Sequence, residues 1–261
     1  MTDHEEDLQR LRGFRLIDDT FMRVFFREHN ELAQYVLRIL TGINDLVLDE
    51  GEPQRDLKRL VGARGLCLDY YGEDTLGRHY NLEIQRDDSG ATAKRARYHA
   101  GALDVDFLNA GDEFEKLPTT YVIFLTEHDI WGEGKALYPV EKKIGNVVYD
   151  DGQHILYANA SFKGTGLIGE LMHDFMCIDP DDMYSKELAA RARYLKSNPE
   201  GVKLMCQVME DMRVEVEQRT EFRTRLESIK AVMEGLTYTA QQAMDLLKIP
   251  EADQPKYLAK I

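Results

Sequence analysis

Two acids and an amide lie close together around one turn of the sequence, in the segment LDYYGEDTLGRHYNLEIQ at residues 68–85. Side chains alternate between the two faces of a β-strand, so Glu83 and Gln85 share a face. Folding back about the turn GEDTLG sets Asp69 roughly across from Glu83. Two facing carboxylates repel each other and are costly to bury, and a divalent cation removes both costs. Carboxylate oxygens with few other donors suit Mg²⁺ or Mn²⁺, which could polarise a phosphate and activate an attacking water.

The spacing of these residues also has a simpler interpretation. An Asp, thirteen intervening residues, and then Glu, any residue and Gln form a very weak motif. Hairpins with a polar outer face are common, because one side of an antiparallel pair can face water. The spacing alone therefore leaves a solvated hairpin face open as the alternative.

The composition of the chain limits its class. It has 261 residues, is 43% apolar and carries a net charge of −14, which suits one large domain, or one domain with an extension. This charge is opposite to that of proteins that coat nucleic acid, so any DNA binding must be local. There is no apolar run of membrane-spanning length and no signal-peptide pattern, which predicts a cytoplasmic protein without a membrane partner. Three widely spaced cysteines indicate neither a disulfide framework nor a thiolate zinc site.

The order of the elements predicts an α/β fold in which helices flank a mixed central sheet. Residues 18–42 have the apolar spacing of one or two amphipathic helices. An alanine-rich helix is predicted at 91–111. Short segments rich in β-branched and aromatic residues predict strands at 45–51, 64–74, 78–87, 120–129, 135–144 and 151–161.

The C-terminal third has a different character. After residue 180 the sequence is largely helical, and the charged second half of this region reads as a solvated long helix that could pair with a second copy of the chain to give a homodimer. The sequence predicts three parts: a core at 14–180, a helical extension at 181–234 and a C-terminal tail with a short helix at 235–261.

The hairpin and the motifs around it resemble the PD-(D/E)xK nuclease family transposases, also called recombination-promoting nucleases. The resemblance covers about residues 14–212 and depends on the order of several motifs: DDTFMRVFF, LDYYGEDTLGRHYNLEIQ, AKRARYHAGALDVDFLNAG, LYPVEKKI and DGQHILYANAS. It implies a restriction-endonuclease-like core and Mg²⁺-dependent cleavage of DNA, in recombination or DNA mobility.

Carried over to this sequence, the resemblance implies that Asp69 and Glu83 are the metal-binding acids. Gln85 stands where the wider superfamily has a lysine. A lysine holds the nucleophilic water and offsets negative charge in the transition state, whereas a neutral amide can position water but cannot supply the charge.

Another cation could fill this gap. Lys94, Arg95 and Arg97 form a local basic cluster on the alanine-rich helix, and Lys94 and Arg97, three positions apart, could share one face. Their functional interpretation is contact with DNA phosphate or transition-state charge. The alternative is a solvated helix face.

Further candidates lie outside the hairpin. Asp18, in the Asp-x-x-Phe motif, could add a third acid or could be the N-cap of its helix. The family often has a lysine directly after that Phe, and Met22 occupies the position here. Residues 127–129, Glu-His-Asp, predict a surface turn. Trp131 could stack on a base, although packing is the commoner role of such a residue.

Two functions from different classes follow. The first is a Mg²⁺-dependent DNA endonuclease in which Asp69 and Glu83 hold the metal, Gln85 orients water, and Lys94 or Arg97 contacts phosphate. The second is a catalytically inactive module that keeps the nuclease-like core for binding or assembly and oligomerises through its C-terminal helices. The strong negative charge and the missing lysine favour the second function, and the intact acids favour the first.

Overall fold

The structure is a computed structural model that describes residues 3–57 and 66–261. Its helices are α1 Asp3–Arg12, α2 Asp19–Phe25, α3 Asn30–Thr41, α4 Ala93–Phe107, α5 Gly166–Met176, α6 Lys186–Ser197, α7 Pro199–Leu236, α8 Ala240–Leu246 and α9 Gln254–Leu258. Its strands are β1 Leu48–Leu57, β2 Leu66–Asp74, β3 His79–Gln85, β4 Thr120–Thr126, β5 Leu137–Pro139, β6 Lys143–Ile144, β7 Val147–Val148 and β8 Gln153–Asn159. The predicted α/β class is confirmed, with helices against a mixed sheet and a long C-terminal helix.

Six strands form the main sheet in the order β1-β2-β3-β4-β8-β5. Strand β2 runs antiparallel to both β1 and β3. Strands β3, β4 and β8 are parallel to one another, and β5 runs antiparallel to β8. The parallel pairing brings the carboxyl ends of β3 and β4 to the same edge, where Gln85 lies beside Thr126. The predicted strand at 135–144 is divided, because β6 pairs with β7 in a separate two-stranded ribbon. Two residues of the predicted strand at 64–74 lie outside the described residues.

Helix α4 links β3 to β4 and covers one face of the sheet. Its buried side chains and those of β4 form an apolar cluster that includes Ala96, Ala100, Leu103, Val122 and Phe124. In the ladder Glu83 is paired with Phe124, and side chains of paired residues share a face. The face of the sheet that carries Glu83 therefore lies under α4.

The predicted amphipathic helices at 18–42 are α2 and α3, and their apolar positions are buried. Phe26, which follows α2, packs against Tyr70 of β2 with ring centroids 5.7 Å apart. Tyr70 is the ladder partner of Leu82, whose side chain points away from the face of Glu83. Helix α2 therefore packs on the face opposite to α4, and the sheet lies between two apolar layers. Helices α1 and α5 were not predicted.

The chain folds into two compact units, Met1–Cys206 and Gln207–Ile261. In the second unit, apolar side chains of α7 pack with those of α8 and α9 around Ile229, Met244 and Tyr257. The tail was expected to contain a short helix, and it contains two. In the described ranges, 3–57 and 66–261, no helix has both the length and the apolar character that a membrane span requires.

Candidate functional site

The two acids of the hairpin meet where β2 and β3 separate. The ladder between these strands ends at the pair of Tyr70 and Leu82. Beyond this pair, the backbone N–H of Asp69 donates to Oε1 of Glu83 over 3.2 Å, and the backbone N–H of Ile84 donates to Oδ2 of Asp69 over 2.9 Å. Each carboxylate thus takes the place of a backbone acceptor of the opposite strand. Asp69 and Glu83 face each other, as the alternation of the strands predicts.

Glu83 is fully buried, with 0% of its surface exposed. Its Oε1 accepts the hydrogen bond from Asp69, whereas its Oε2 is buried and has no hydrogen-bond partner among the described residues. Nη2 of Arg95 lies 3.6 Å from Oε2. A buried carboxylate oxygen without a hydrogen bond is costly, because it has lost water and gained nothing comparable in return. This oxygen is therefore available to a cation or a proton.

Asp69 has a strongly altered acidity. Burial raises the pKa of its carboxyl group, and the negative charges of Glu83 and Asp19 raise it further. The hydrogen bond from Ile84 and the charge of Arg95 lower the pKa, but they do not offset this increase. Asp69 therefore stays protonated at pH values well above those at which an aspartic acid ordinarily loses its proton. A bound cation would favour the ionised form instead.

Arg95 is the cation that reaches these acids. Its Nη1 donates to Oε1 of Gln85 and to the backbone oxygen of Gly90, each over 3.0 Å. Its Nη2 lies 3.6 Å from Glu83. Arg95 therefore supplies positive charge beside the amide of Gln85. The predicted basic cluster is split, because Lys94 and Arg97 are exposed on α4 while Arg95 lies inside the site.

Gly90 allows the amide of Gln85 to lie where it does. A Cβ atom on Gly90 would stand 2.0 Å from Oε1 of Gln85. Any larger residue at this position would push the amide aside, and because the amide is the end of a flexible side chain it can move at low cost to the fold. The position of Gln85 thus depends on Gly90 and Arg95 together.

Asp18 occupies the N-cap position of α2, but its side chain forms no cap, so the predicted capping bond is absent. Its carboxylate accepts the backbone N–H of Arg15 over 2.7 Å and pairs with Arg86 over 2.9 Å. Arg15 and Arg86 also pair with the two oxygens of Glu127, at 2.8 and 3.0 Å. Asp18 therefore belongs to an ion-pair network beside the end of β3. Its role as a third metal-binding acid stays a prediction.

The turn predicted at 127–129 is confirmed, although Glu127 is mostly buried by its two arginines. Asp129 accepts backbone N–H groups of the following loop. Trp131 is 47% exposed and packs edge-on against Tyr157, with ring centroids 5.2 Å apart. Met22 is fully buried, so its side chain fills the core.

Three further residues belong to the surroundings of the site and were not predicted. Asn81 and His99 are both buried beside Glu83, and the charge of Asp19 acts on Asp69. The sequence pattern could have indicated two of them. Asn81 precedes Glu83 by two residues, so both share one face of the strand. His99 follows Arg95 by four residues, so both lie on one side of the helix. Asp19 could not be told from Asp18 by spacing.

The donor set fits a hard divalent cation. Within the described ranges, no group of three or more His, Cys, Asp or Glu residues is arranged to hold a metal ion. Mg²⁺, however, is typically held by one or two carboxylates together with water and substrate phosphate oxygens. Asp69 and Glu83 supply two carboxylates, and Oε2 of Glu83 is a buried oxygen without a hydrogen bond from any described residue. The residues present therefore suit Mg²⁺ or Mn²⁺.

Comparison of the chain with protein-family models, curated proteins and solved structures finds no match.

Proposed function

We propose that this protein is a Mg²⁺- or Mn²⁺-dependent endonuclease that hydrolyses phosphodiester bonds in DNA on a restriction-endonuclease-like core, with a role in recombination or DNA mobility. One observation carries the proposal: Oε2 of Glu83 is buried opposite the carboxylate of Asp69, and no group in the described part of the chain forms a hydrogen bond with it. A divalent cation would give Oε2 of Glu83 a partner and offset the negative charge of both carboxylates. The order of motifs around the hairpin supports the same class of protein.

Each site residue has a distinct task in this proposal. Asp69 and Glu83 would hold the cation, which, when bound, polarises a phosphoryl oxygen and makes an attacking water more acidic. Arg95 would stabilise negative charge that develops on the phosphate. Because Arg95 binds Oε1 of Gln85, the amide NH₂ group remains for other contacts. Gln85 can therefore hold a water or phosphate oxygen as a donor, but it cannot accept the proton of the water.

Contact with DNA would depend on local positive charge. Lys94 and Arg97 are exposed on the helix that carries Arg95, and Arg86, which follows Gln85, is about half exposed. These cations lie on elements that lead into the site, and phosphate contacts of this kind position a duplex without reading its sequence. We propose them as the DNA-contacting residues of this otherwise acidic protein.

The proposal is tested by measuring cation binding and cleavage on the same samples. Mn²⁺ is titrated calorimetrically into metal-free protein, and nicking of supercoiled plasmid is assayed in parallel. We expect Asp69→Asn and Glu83→Gln to weaken Mn²⁺ binding and abolish nicking. The matched control is Asp104→Asn, which removes a half-buried acid that binds Gln153 instead of the site. Binding and nicking that persist in both site variants would contradict the proposal.

The second function is a catalytically inactive module for binding or assembly. The net charge of −14 and the Gln85 in place of a lysine favour it. Gly90→Ala separates the two functions, because it displaces the Gln85 amide without changing any charge. An active nuclease should lose nicking in this variant while it keeps Mn²⁺ binding. Wild-type protein that binds Mn²⁺ and DNA without cutting would identify the inactive module.

A further inference from the structure

His99 lies in the interior behind the two acids. It follows Arg95 by four residues on α4, is 1% exposed, and packs edge-on against Phe124 with ring centroids 5.3 Å apart. Since water is excluded, both ring nitrogens must find their hydrogen-bond partners within the protein. Three polar side chains surround the ring: Asn81, Glu83 and Arg95.

The contact with Arg95 fixes where the ring carries its hydrogen. Nε of Arg95 donates to Nε2 of His99 over 3.3 Å. A guanidinium has only donors, so Nε2 must be an acceptor and carries no hydrogen. A ring whose Nε2 is bare is neutral and has its hydrogen on Nδ1.

The hydrogen on Nδ1 then has acceptors on the other side of the ring. Nδ1 lies 3.5 Å from Oε1 of Glu83 and 3.2 Å from the amide nitrogen of Asn81. A donor on Nδ1 requires the oxygen of the Asn81 amide, instead of its nitrogen, to face the ring. This orientation also provides a partner for Oδ1 of Asn81, which is otherwise buried without a hydrogen-bond partner within 3–57 and 66–261.

We propose that His99 is a positioning residue of the site, held as the neutral Nδ1–H tautomer, which orients Arg95 through Nε2 and Glu83 through Nδ1. One buried ring thereby sets the distance between the acid that would hold a cation and the guanidinium that would meet the phosphate. Outer partners of this kind fix the orientation of groups that contact a metal. The effect of His99 on cleavage rests on the proposed function, whereas its tautomer does not.

The tautomer is measured on metal-free wild-type protein by ¹⁵N NMR of labelled histidine, with the His99 signals identified by their loss in His99→Phe, or by through-bond assignment if that variant does not fold. We expect one protonated nitrogen, Nδ1, and a bare Nε2. A hydrogen on Nε2, or on both nitrogens, would overturn the proposal regardless of any activity.

Two amide substitutions then separate the contacts of the ring. The amide nitrogen of His99→Asn can replace Nδ1, and the amide oxygen of His99→Gln can replace Nε2 as acceptor for Arg95. We expect His99→Asn to retain Mn²⁺ affinity within about threefold and to reduce nicking at least about tenfold. We expect His99→Gln to weaken Mn²⁺ binding by about 10- to 100-fold, the usual range for losing an outer partner of a metal ligand. The matched control is His128→Asn, at an exposed histidine.

The outcomes distinguish this inference from the proposed function. Equal losses of Mn²⁺ affinity in the Asn and Gln variants, or no loss in either, would refute a positioning role for His99. If wild-type protein binds Mn²⁺ with the expected tautomer and variant affinities but does not nick DNA, the positioning role stands and the nuclease does not.

Discussion

Replacing Asp69 by Asn should stabilise the metal-free protein at neutral and alkaline pH. In the wild type, burial raises the pKa of Asp69 to about 8, from an ordinary value of 3.8, and the charge of Glu83 contributes to the increase. The folded protein must therefore either hold a proton on Asp69 or keep two buried negative charges in contact. An Asn side chain has no charge, and its oxygen can still accept the hydrogen bond from Ile84.

The sign and size of the effect follow from proton linkage. Between the two pKa values the folded state binds more protons than the unfolded state, so the free energy of unfolding decreases as pH rises. The decrease is at most about 1.4 kcal/mol per pH unit, which gives an upper limit of about 4 kcal/mol at pH 7. The Asn side chain is itself a polar group that is costly to bury, so we expect Asp69→Asn to regain about 2 kcal/mol, roughly half of this limit.

Urea unfolding in a chelating buffer at pH 5.5, 7.0 and 8.5 tests this reasoning. The wild type should lose stability across the series, while the variant changes less. Asp74→Asn is the matched control from the same hairpin. Burial acts to raise the pKa of Asp74, but hydrogen bonds from Arg78 and Tyr80 outweigh it and lower the pKa, so this control should lose stability. A variant at Asp69 that is less stable than the wild type at pH 8.5, with an unchanged pH slope, would refute the reasoning.

Two further predictions concern packing and DNA contact. Gly169→Ala should destabilise the protein by about 3 kcal/mol or more, because its Cβ would stand 2.0 Å from the backbone oxygen of Gly164; thermal unfolding measures this. The control Gly101→Ala, on α4 with open space around it, should gain about 0.5–1 kcal/mol, and equal effects of the two changes would contradict the packing described. Lys94→Ala and Arg97→Ala should each reduce the slope of log affinity for duplex DNA against log salt by about one, measured by fluorescence anisotropy. Unchanged slopes would contradict the proposal that α4 contacts DNA.

The geometry of the hairpin could be predicted because it follows from local rules. Alternation along β3 puts Glu83 and Gln85 on one face, and a short turn brings Asp69 across from Glu83. The structure shows this arrangement. The N-cap position of Asp18 is local in the same sense. The ion pair of Asp18 with Arg86 joins residues far apart in sequence. The sequence therefore predicted the position of Asp18 but not this ion pair.

The position of Arg95 beside Glu83 and Gln85 could not be predicted from local rules such as strand alternation. Spacing gives the angles between Lys94, Arg95 and Arg97 on a helix, but not the rotation of that helix against the sheet. Charged side chains are normally assigned to solvent, so the partial burial of Arg95 depends on partners supplied by β3. Its contact with His99, four residues later, is the one feature that helical periodicity could have indicated.

Where β2 and β3 separate, side-chain carboxylates accept hydrogen bonds from the backbone. These bonds make it possible to observe the state of the site directly. The backbone N–H groups of Asp69 and Ile84 donate their hydrogen bonds to the carboxylates of Glu83 and Asp69. Their hydrogen–deuterium exchange rates should follow the state of those carboxylates, whereas the amides of neighbouring residues follow the opening of the sheet. Occupancy of the site by a cation can thus be followed at single residues, without a label and independently of any substrate.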